Sequence, residues 1–451
     1  MAAATTPSRK SSTFERVARG PLRLLTHFGG AEFAEKLGLR GPATKILYHS
    51  AKTGMRAATV AASAISSTSR LLREPSRLKA TPPSALFDPT PNEEQTMIRD
   101  TMRRFADEVL RPAAYAADEA VKAPEEIFEQ SHGLGLAQLV IPEAFGGMAE
   151  VRSHVSGALI AEQLARGDMG LAVAILAPLG VVNAIVDWGT AEQQERYLPR
   201  FAGEAFLPAA LALIEPRPLF DPMQPRTGAV RTKDGGWALH GEKSLVPLAE
   251  SASLFAIVAD VRGRGPRVFL VEKNTPGLTI EPERAMGLRA AGLGRLRLDS
   301  VHVSSSALLG GDDGEFDIGT LVDRARIAWG AMAVGTCQAV IDYVIPYCNE
   351  RQAFGEPVSN RQSVAFLIAD MAIEIDGMRL LVHRAASLAE TGAKVGREAS
   401  LARTQCAAKG MKIGSDGVQL LGGHGFVKEH PVERWYRDLR AIAVMEGALS
   451  V

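Results

Sequence analysis

The chain has 451 residues, 46% of them hydrophobic, and its 51 Lys+Arg balance 51 Asp+Glu. That length suits three domains and that apolar fraction a sizeable soluble core. Three cysteines, Cys337, Cys348 and Cys406, lack CxxC spacing and a companion His cluster, which argues against a disulfide framework or a metal site and suits a reducing compartment.

The neutral total hides an asymmetry: residues 1–80 hold 14 Lys+Arg against 4 Asp+Glu, leaving 37 against 47 for the remainder. Residues 1–82 read as a basic helical extension and linker. Short amphipathic pieces over residues 14–60 set Phe14, Val17, Leu24, Ile46 and Leu47 beside arginines and lysines. Three readings stay open for them: peripheral contact with an anionic membrane, packing on the chain's own body, or a targeting peptide. No groove-reading motif accompanies the charge, so nucleic acid is not an expected partner.

Residues 83–205 read as a helical domain. Met97, Met102, Phe105 and Val109 recur at helical spacing up to Pro112, expected to close that helix, and Thr190 is a cap candidate for the helix after it. The apolar run from Gly170 carries Pro178 and Asn183, falls just short of a bilayer crossing, and reads as a buried helix. Residues 206–312 change texture to short strands (GAVRT, WALHG, LFAIVADV, PRVFLVEK, LTIEP, RLRLDSVHV) separated by glycine turns. Over residues 313–451 helix returns, with Val364, Leu367, Ile368, Met371, Ile375, Met378 and Val382 forming one stripe. The expected class is α+β, mainly α: an N-terminal helical domain, a central β-barrel-like domain and a C-terminal four-helix bundle.

In this order TPNEEQTMIRDTMRRFADEVLRP, LGLAQLVIPEAFGGM, LIEP, LHGEKSLV, MGLRAAGLGRLRLDSVHV, ERQAFGEPVSNRQ and QLLGGHGFVKEHPVERWYRDLRAIAVMEG resemble the acyl-CoA dehydrogenase family over roughly residues 88–447. The resemblance implies FAD-dependent α,β-dehydrogenation of an acyl-CoA thioester to the trans-2-enoyl-CoA. It places the base at Glu446 of the MEG motif; the alternative position that some relatives use falls near Ala325, which carries no carboxylate. A base for an α-proton needs a carboxylate in a water-poor slot, and MEG sets one among apolar residues, with Gly447 allowing close backbone approach to the thioester. Arg326 matches a family arginine near the substrate, although a structural partner would explain it equally well.

Arg351 and Phe354 match the family's RxxF pair, Gln362 follows in register, and Gln419, Gly422 and Gly423 match its QxxGG element. These are the implied FAD contacts, several made across a subunit boundary, so a homodimer or homotetramer is expected. The β domain departs from the family: IEPRPLFD stands for TEPxAGSD, and KSLVP for KxWIT. Ile214, Leu219, Phe220, Leu245 and Pro247 thus replace hydroxyl, glycine or aromatic residues on the flavin-ring side; backbone amides could still serve that face, but Pro247 has no N–H to offer. An electron-transfer flavoprotein is the implied acceptor, in a cytoplasmic, membrane-associated or, for a eukaryotic source, mitochondrial setting. Two other functions stay open, an acyl-CoA oxidase and a flavin-poor acyl-CoA-binding or scaffold relative.

Overall fold

Helix α1 (Glu93–Phe105) is fixed at its start by reciprocal bonds between Asn92 and Gln95, with Glu93 and Glu94 in its first turn and Arg103 and Arg104 in its last, each matching the helix dipole. The computed structural model describes residues 88–451, so the expectations for residues 1–82 and 14–60 lie outside the described residues. Pro112 does not end the helical run. A π turn over Ala106–Leu110 leads directly into α2 (Arg111–Ala120), which places the proline in the first turn of a new helix, where its missing N–H is tolerated.

Helices α3 (Glu125–His132), α4 (His154–Gly167), α5 (Met169–Trp188) and α6 (Ala191–Ala202) complete the first helical region. Thr190 does cap α6, in a reciprocal box with Gln193. The side chain of Gln193 also donates to the carbonyls of Ser306 and Leu308, tying α6 to the end of the β region. Helix α5 is apolar on all sides, and 94% of its most apolar stretch is buried inside the fold.

Strands β1 (Ala209–Ala212), β2 (Gly228–Arg231), β3 (Trp237–Val246), β4 (Leu254–Val261), β5 (Gly265–Glu272), β6 (Leu278–Pro282) and β7 (Gly294–Val303) form one curled sheet. Its order is β1-β4-β2-β3-β7-β6, with β5 on β4. Phe255 and Ile257 of β4 point into the larger of two apolar cores, and Leu254, Ala256 and Val258 into the smaller. That two-sided burial explains why LFAIVADV is apolar throughout instead of alternating. The β3–β7 ladder slips between Lys243 and Val246, and Leu245 there takes a left-handed φ of 54°.

Helices α7 (Ile318–Glu350), α8 (Gln362–Glu390), α9 (Gly396–Leu420) and the short α10 (Val432–Leu439) make the final bundle. The helical–β–helical order and the α+β class are those expected. Of the predicted stripe on α8, Met371, Ile375, Met378 and Val382 are buried, whereas Val364 and Leu367 face a cavity described below.

Helix α10 is bolted to both other regions by charge. Arg437 grips Asp118 of α2 with bonds of 3.0 and 2.9 Å, Arg434 donates to Asp168 at the start of α5 at 2.9 Å, and Asp438 accepts the amide of Leu288 beside the sheet at 2.6 Å. Burial first, then the nearby charge of Asp168, push Asp438 up to about 8. Asp168 already accepts from Leu171 N and Arg434, so Asp438 is the member that carries the proton. The folded chain therefore holds a proton that the unfolded chain releases near pH 3.8, and this contribution to stability declines as pH rises from about 4 to about 8. Asp438→Asn keeps an acceptor for Leu288 without the titration. In chemical denaturation it should match the parent in acid and exceed it above about pH 8 by at least roughly 1.4 kcal/mol, the equivalent of one pKa unit.

Candidate active site

After α10 and a short 3-10 turn over Arg440–Ala443, the chain turns inward, burying Met445 and leaving Glu446 only 7% exposed. Gly447 adopts φ 64°, and a Cβ there would stand 2.8 Å from the Leu213 side chain, so conformation and space both demand glycine. The expected slot of apolar residues is corrected by what faces the carboxylate. Arg326 of α7 binds it in a fork, Nη2 to Oε1 at 2.8 Å and Nε to Oε2 at 3.2 Å. Arg403 of α9 places Nη1 3.2 Å from Oε1 and donates Nη2 to the carbonyl of Met445 at 3.0 Å. Trp329, one turn along α7 from Arg326 and fully buried, donates Nε1 to the carbonyl of Gly447 at 2.9 Å.

The two arginines differ in environment. Desolvation pulls Arg326 down, but hydrogen bonding to Glu446 and its charge outweigh it and leave the guanidinium above its ordinary value. For Arg403 desolvation wins over the attraction of Glu446, helped by repulsion from Arg326, and the group is lowered. Neither Arg403 nor Trp329 is a sequence-predicted site residue. Within LARTQCAAKG and RIAWGAM each is one side chain on a helix, and no spacing marks it as facing MEG.

Residues 447–451 then run between α4 and α5 on a track of small residues. A Cβ on Gly180 would lie 2.5 Å from the carbonyl oxygen of Ala448, and one on Gly157 3.0 Å from Cβ of Val451. His154 meets the Val451 carbonyl through Nδ1 at 2.8 Å; burial, then the charges of Arg324 and Arg152, push this imidazole down to about 4.

The implied cofactor residues gather elsewhere. Arg351, Phe354, Gln419, Gly422 and Gly423 line one cavity of about 630 Å³ between the start of α8, the end of α9 and the loop after α7. Gln362 is not brought in with them; it stands exposed at the first turn of α8 while its neighbours Arg361 and Ser363 line the cavity. No atom lies within 4 Å of where a Cβ would stand on Gly422 or Gly423, so backbone is presented there to open space. A forked guanidinium, an amide side chain, an exposed aromatic ring and bare backbone fit the pyrophosphate and adenosine of a dinucleotide.

On the ring side, Glu215 accepts from the amides of Arg226 and Thr227, and fully buried Lys243 donates to Leu213 O at 3.0 Å and Glu215 at 3.1 Å. Burial, against the pull of Glu215, brings Lys243 down to about 8. This lock sets the segments carrying Ile214 and Leu245 against each other. Four of the backbone amides that could serve that face already have partners. Ser244 N donates to Ile214 O, Leu245 N to Glu283, Leu248 N to Ala291 O and Ala249 N to Gly292 O, and Pro247 has no N–H. Ile214 and Pro247 are themselves buried, and Leu245 half-buried.

The domains of this chain match three family profiles in order: acyl-CoA dehydrogenase, N-terminal domain, over residues 92–205; middle domain, over 210–301; and C-terminal domain, over 314–451. An acyl-CoA dehydrogenase of Bacillus subtilis (strain 168) is 33% identical over 368 residues, covering 80% of this chain and 96% of that protein. The solved butyryl-CoA dehydrogenase from Megasphaera elsdenii has a TM-score of 0.74 at 28% identity, covering 80% of this chain and 96% of that one. A glutaryl-CoA dehydrogenase from Mycobacterium smegmatis in complex with FADH2 gives 0.72 at 26% identity, covering 79% and 92%. The chain belongs to the acyl-CoA dehydrogenase family, whose members are flavin-dependent oxidoreductases.

Gly180 offers a direct check on how tightly the Glu446 segment is held. Gly180→Ala drives a methyl into the backbone of Ala448, and overpacking of that kind costs about 1–3 kcal/mol. The urea midpoint should fall accordingly, whereas Gly235→Ala, at a turn with no atom within 4 Å of the added methyl, should lose only what its φ of 85° imposes.

Proposed function

We propose that this chain is an FAD-dependent dehydrogenase that converts an acyl-CoA thioester to the trans-2-enoyl-CoA, with Glu446 as the base that removes the α-proton. The observation that carries this reading is the fixed, buried carboxylate of Glu446, held by Arg326, Arg403 and the Trp329–Gly447 bond at the junction of the three regions. A general base gains from being held in reach of the proton it takes, out of bulk water. Arg326 fixes the plane of the carboxylate, and the left-handed turn at Gly447 lets backbone lie close to the thioester. When bound, the flavin supplies the acceptor for the β-hydride.

The bundle cavity is the proposed seat of the cofactor's dinucleotide portion, with Arg351 at the pyrophosphate and Phe354 against the adenine. Phe354 is 96% exposed, and beside the cavity α8 presents Phe366, Ile373 and Leu380 at seven-residue spacing, 59%, 69% and 51% exposed. A second copy packed on this stripe would cover it and close the open cavity, which supports a homodimer or larger homo-oligomer sharing the cofactor across its interface. An electron-transfer flavoprotein is the proposed acceptor for the reduced enzyme.

In a dye-coupled assay, Glu446→Gln should lower turnover of a saturated acyl-CoA by at least about 10²-fold, the lower scale for a positioned general base, while retaining the flavin. Turnover near that of the parent would place the base elsewhere. Arg351→Ala should shed FAD on gel filtration and keep its fold by circular dichroism; stoichiometric retention in that variant would rule out the bundle cavity as the seat.

A further inference from the structure

The residues that follow Glu446 form a buried strap. Gly447 and Ala448 both take a left-handed φ, 64° and 65°, and Ala448, Leu449 and Val451 are almost fully buried. Alanine rarely adopts that conformation, so the seated strap is held at a conformational cost. It lies in the seam where α4, α5, α7 and β1 meet. A Cβ on Gly447 would stand 3.1 Å from Leu211 of β1, Gly180 of α5 faces the Ala448 carbonyl, and Gly157 of α4 faces Val451. Among the described residues, every hydrogen bond that another element makes to residues 447–451 ends on a main-chain carbonyl. Trp329 donates to Gly447 and Asn183 to Ser450 at 3.4 Å, while His154 meets Val451. The side chains of the strap are held by apolar contact alone. With Leu136, Ile160, Leu176 and Leu179, Leu449 and Val451 line a cavity of about 80 Å³, against about 630 Å³ for the bundle cavity.

We infer that residues 448–451 are a self-inhibitory strap: they fill the apolar seam that the alkyl chain of a substrate needs, and that chain enters by displacing them. This rests on the proposed role of Glu446 and adds a gate to it. With its α-carbon at the Glu446 carboxylate, an acyl group needs an apolar channel for its remaining carbons that begins at the same turn. The strap begins at that turn, and the seam it follows is walled by apolar residues of α4 and α5. The space left beside it is small, so strap and alkyl chain cannot share the seam. An alkyl chain supplies the same kind of contact to those walls as Leu449 and Val451 do, because both bury apolar surface without directional bonds. The three carbonyls released on displacement regain water, and Ala448 leaves its left-handed conformation. A seated strap keeps water out of the seam between turnovers. It also lowers the apparent affinity for substrate by the fraction of molecules in which the strap is out.

The test is amide hydrogen exchange of the segment 447–451 in the full-length holoenzyme, read by mass spectrometry. The probe is trans-2-octenoyl-CoA, which carries an alkyl chain and has no further hydride to give, so the readout needs no turnover. Without ligand the strap amides should exchange slowly, and saturating trans-2-octenoyl-CoA should abolish that protection. Free CoA should leave it intact. Leu449→Ala removes contacts made only by the seated strap. Calorimetry should therefore show trans-2-octenoyl-CoA binding at least about 10-fold tighter in that variant, below the full cost of deleting a buried leucine. If the variant does not fold, exchange in the parent carries the test. Protection that persists with trans-2-octenoyl-CoA bound, or that CoA alone abolishes, overturns the inference and leaves the role of Glu446 standing. Equal or weaker binding by folded Leu449→Ala overturns it too. If neither parent nor variant binds trans-2-octenoyl-CoA, this inference and the proposed substrate class fall together.

Discussion

Burying a carboxylate is unfavourable unless cations and hydrogen bonds replace the water it loses, and the Glu446 turn has that replacement from two separate helices. Arg326 and Trp329 come from α7 and Arg403 from α9; the two arginines share Oε1 of Glu446, while Trp329 holds the Gly447 carbonyl and Arg403 that of Met445. Removing one partner of such a buried set typically costs about 3–5 kcal/mol, because the remaining charge is left uncompensated. The turn is therefore fixed only when α7 and α9 are packed in register, which makes assembly of the bundle a condition for placing the Glu446 carboxylate.

The bundle is itself held to the rest of the chain by α10, seven residues before Glu446. Arg437, Arg434 and Asp438 reach α2, the cap of α5 and the sheet-side turn at Leu288, so the helix leading into the site is referenced to all three regions. The sheet in turn fixes the other wall, through buried Lys243 and its bonds to Leu213 and Glu215. Polar contacts rather than apolar packing set the geometry at both places. Apolar cores tolerate exchange of similar volumes, but a forked ion pair tolerates only its own shape.

The sequence made much of this legible. Apolar runs and periodicities mark the strands and the long helices, Thr190 announces α6, and MEG, RxxF and QxxGG lie in the order that the family requires. The residues of those motifs do assemble into a buried turn and a shared cavity, apart from Gln362. Legibility failed where a role depends on contacts between distant segments. Arg403 and Trp329 carry no local signature, since what distinguishes them is that α9 and α7 bring them to a turn over 40 residues away or more in the chain. Pro112 misled because a proline also suits a first helical turn, and the π turn that makes room for it leaves no mark in composition. Where the amides of Ser244, Leu245, Leu248 and Ala249 are spent is equally invisible in composition, because each finds its partner on a distant segment.

The central claim is that a fixed carboxylate at position 446 moves the α-proton, and proton movement is measurable apart from oxidation. An acyl-CoA whose β-carbon is replaced by an ether oxygen has no β-hydride to lose but keeps its α-protons. Incubated with the holoenzyme in deuterated water and followed by proton NMR, it should lose its α-proton signal to exchange with the parent and keep it with Glu446→Gln. Exchange at the parent's rate in the glutamine variant would contradict the account.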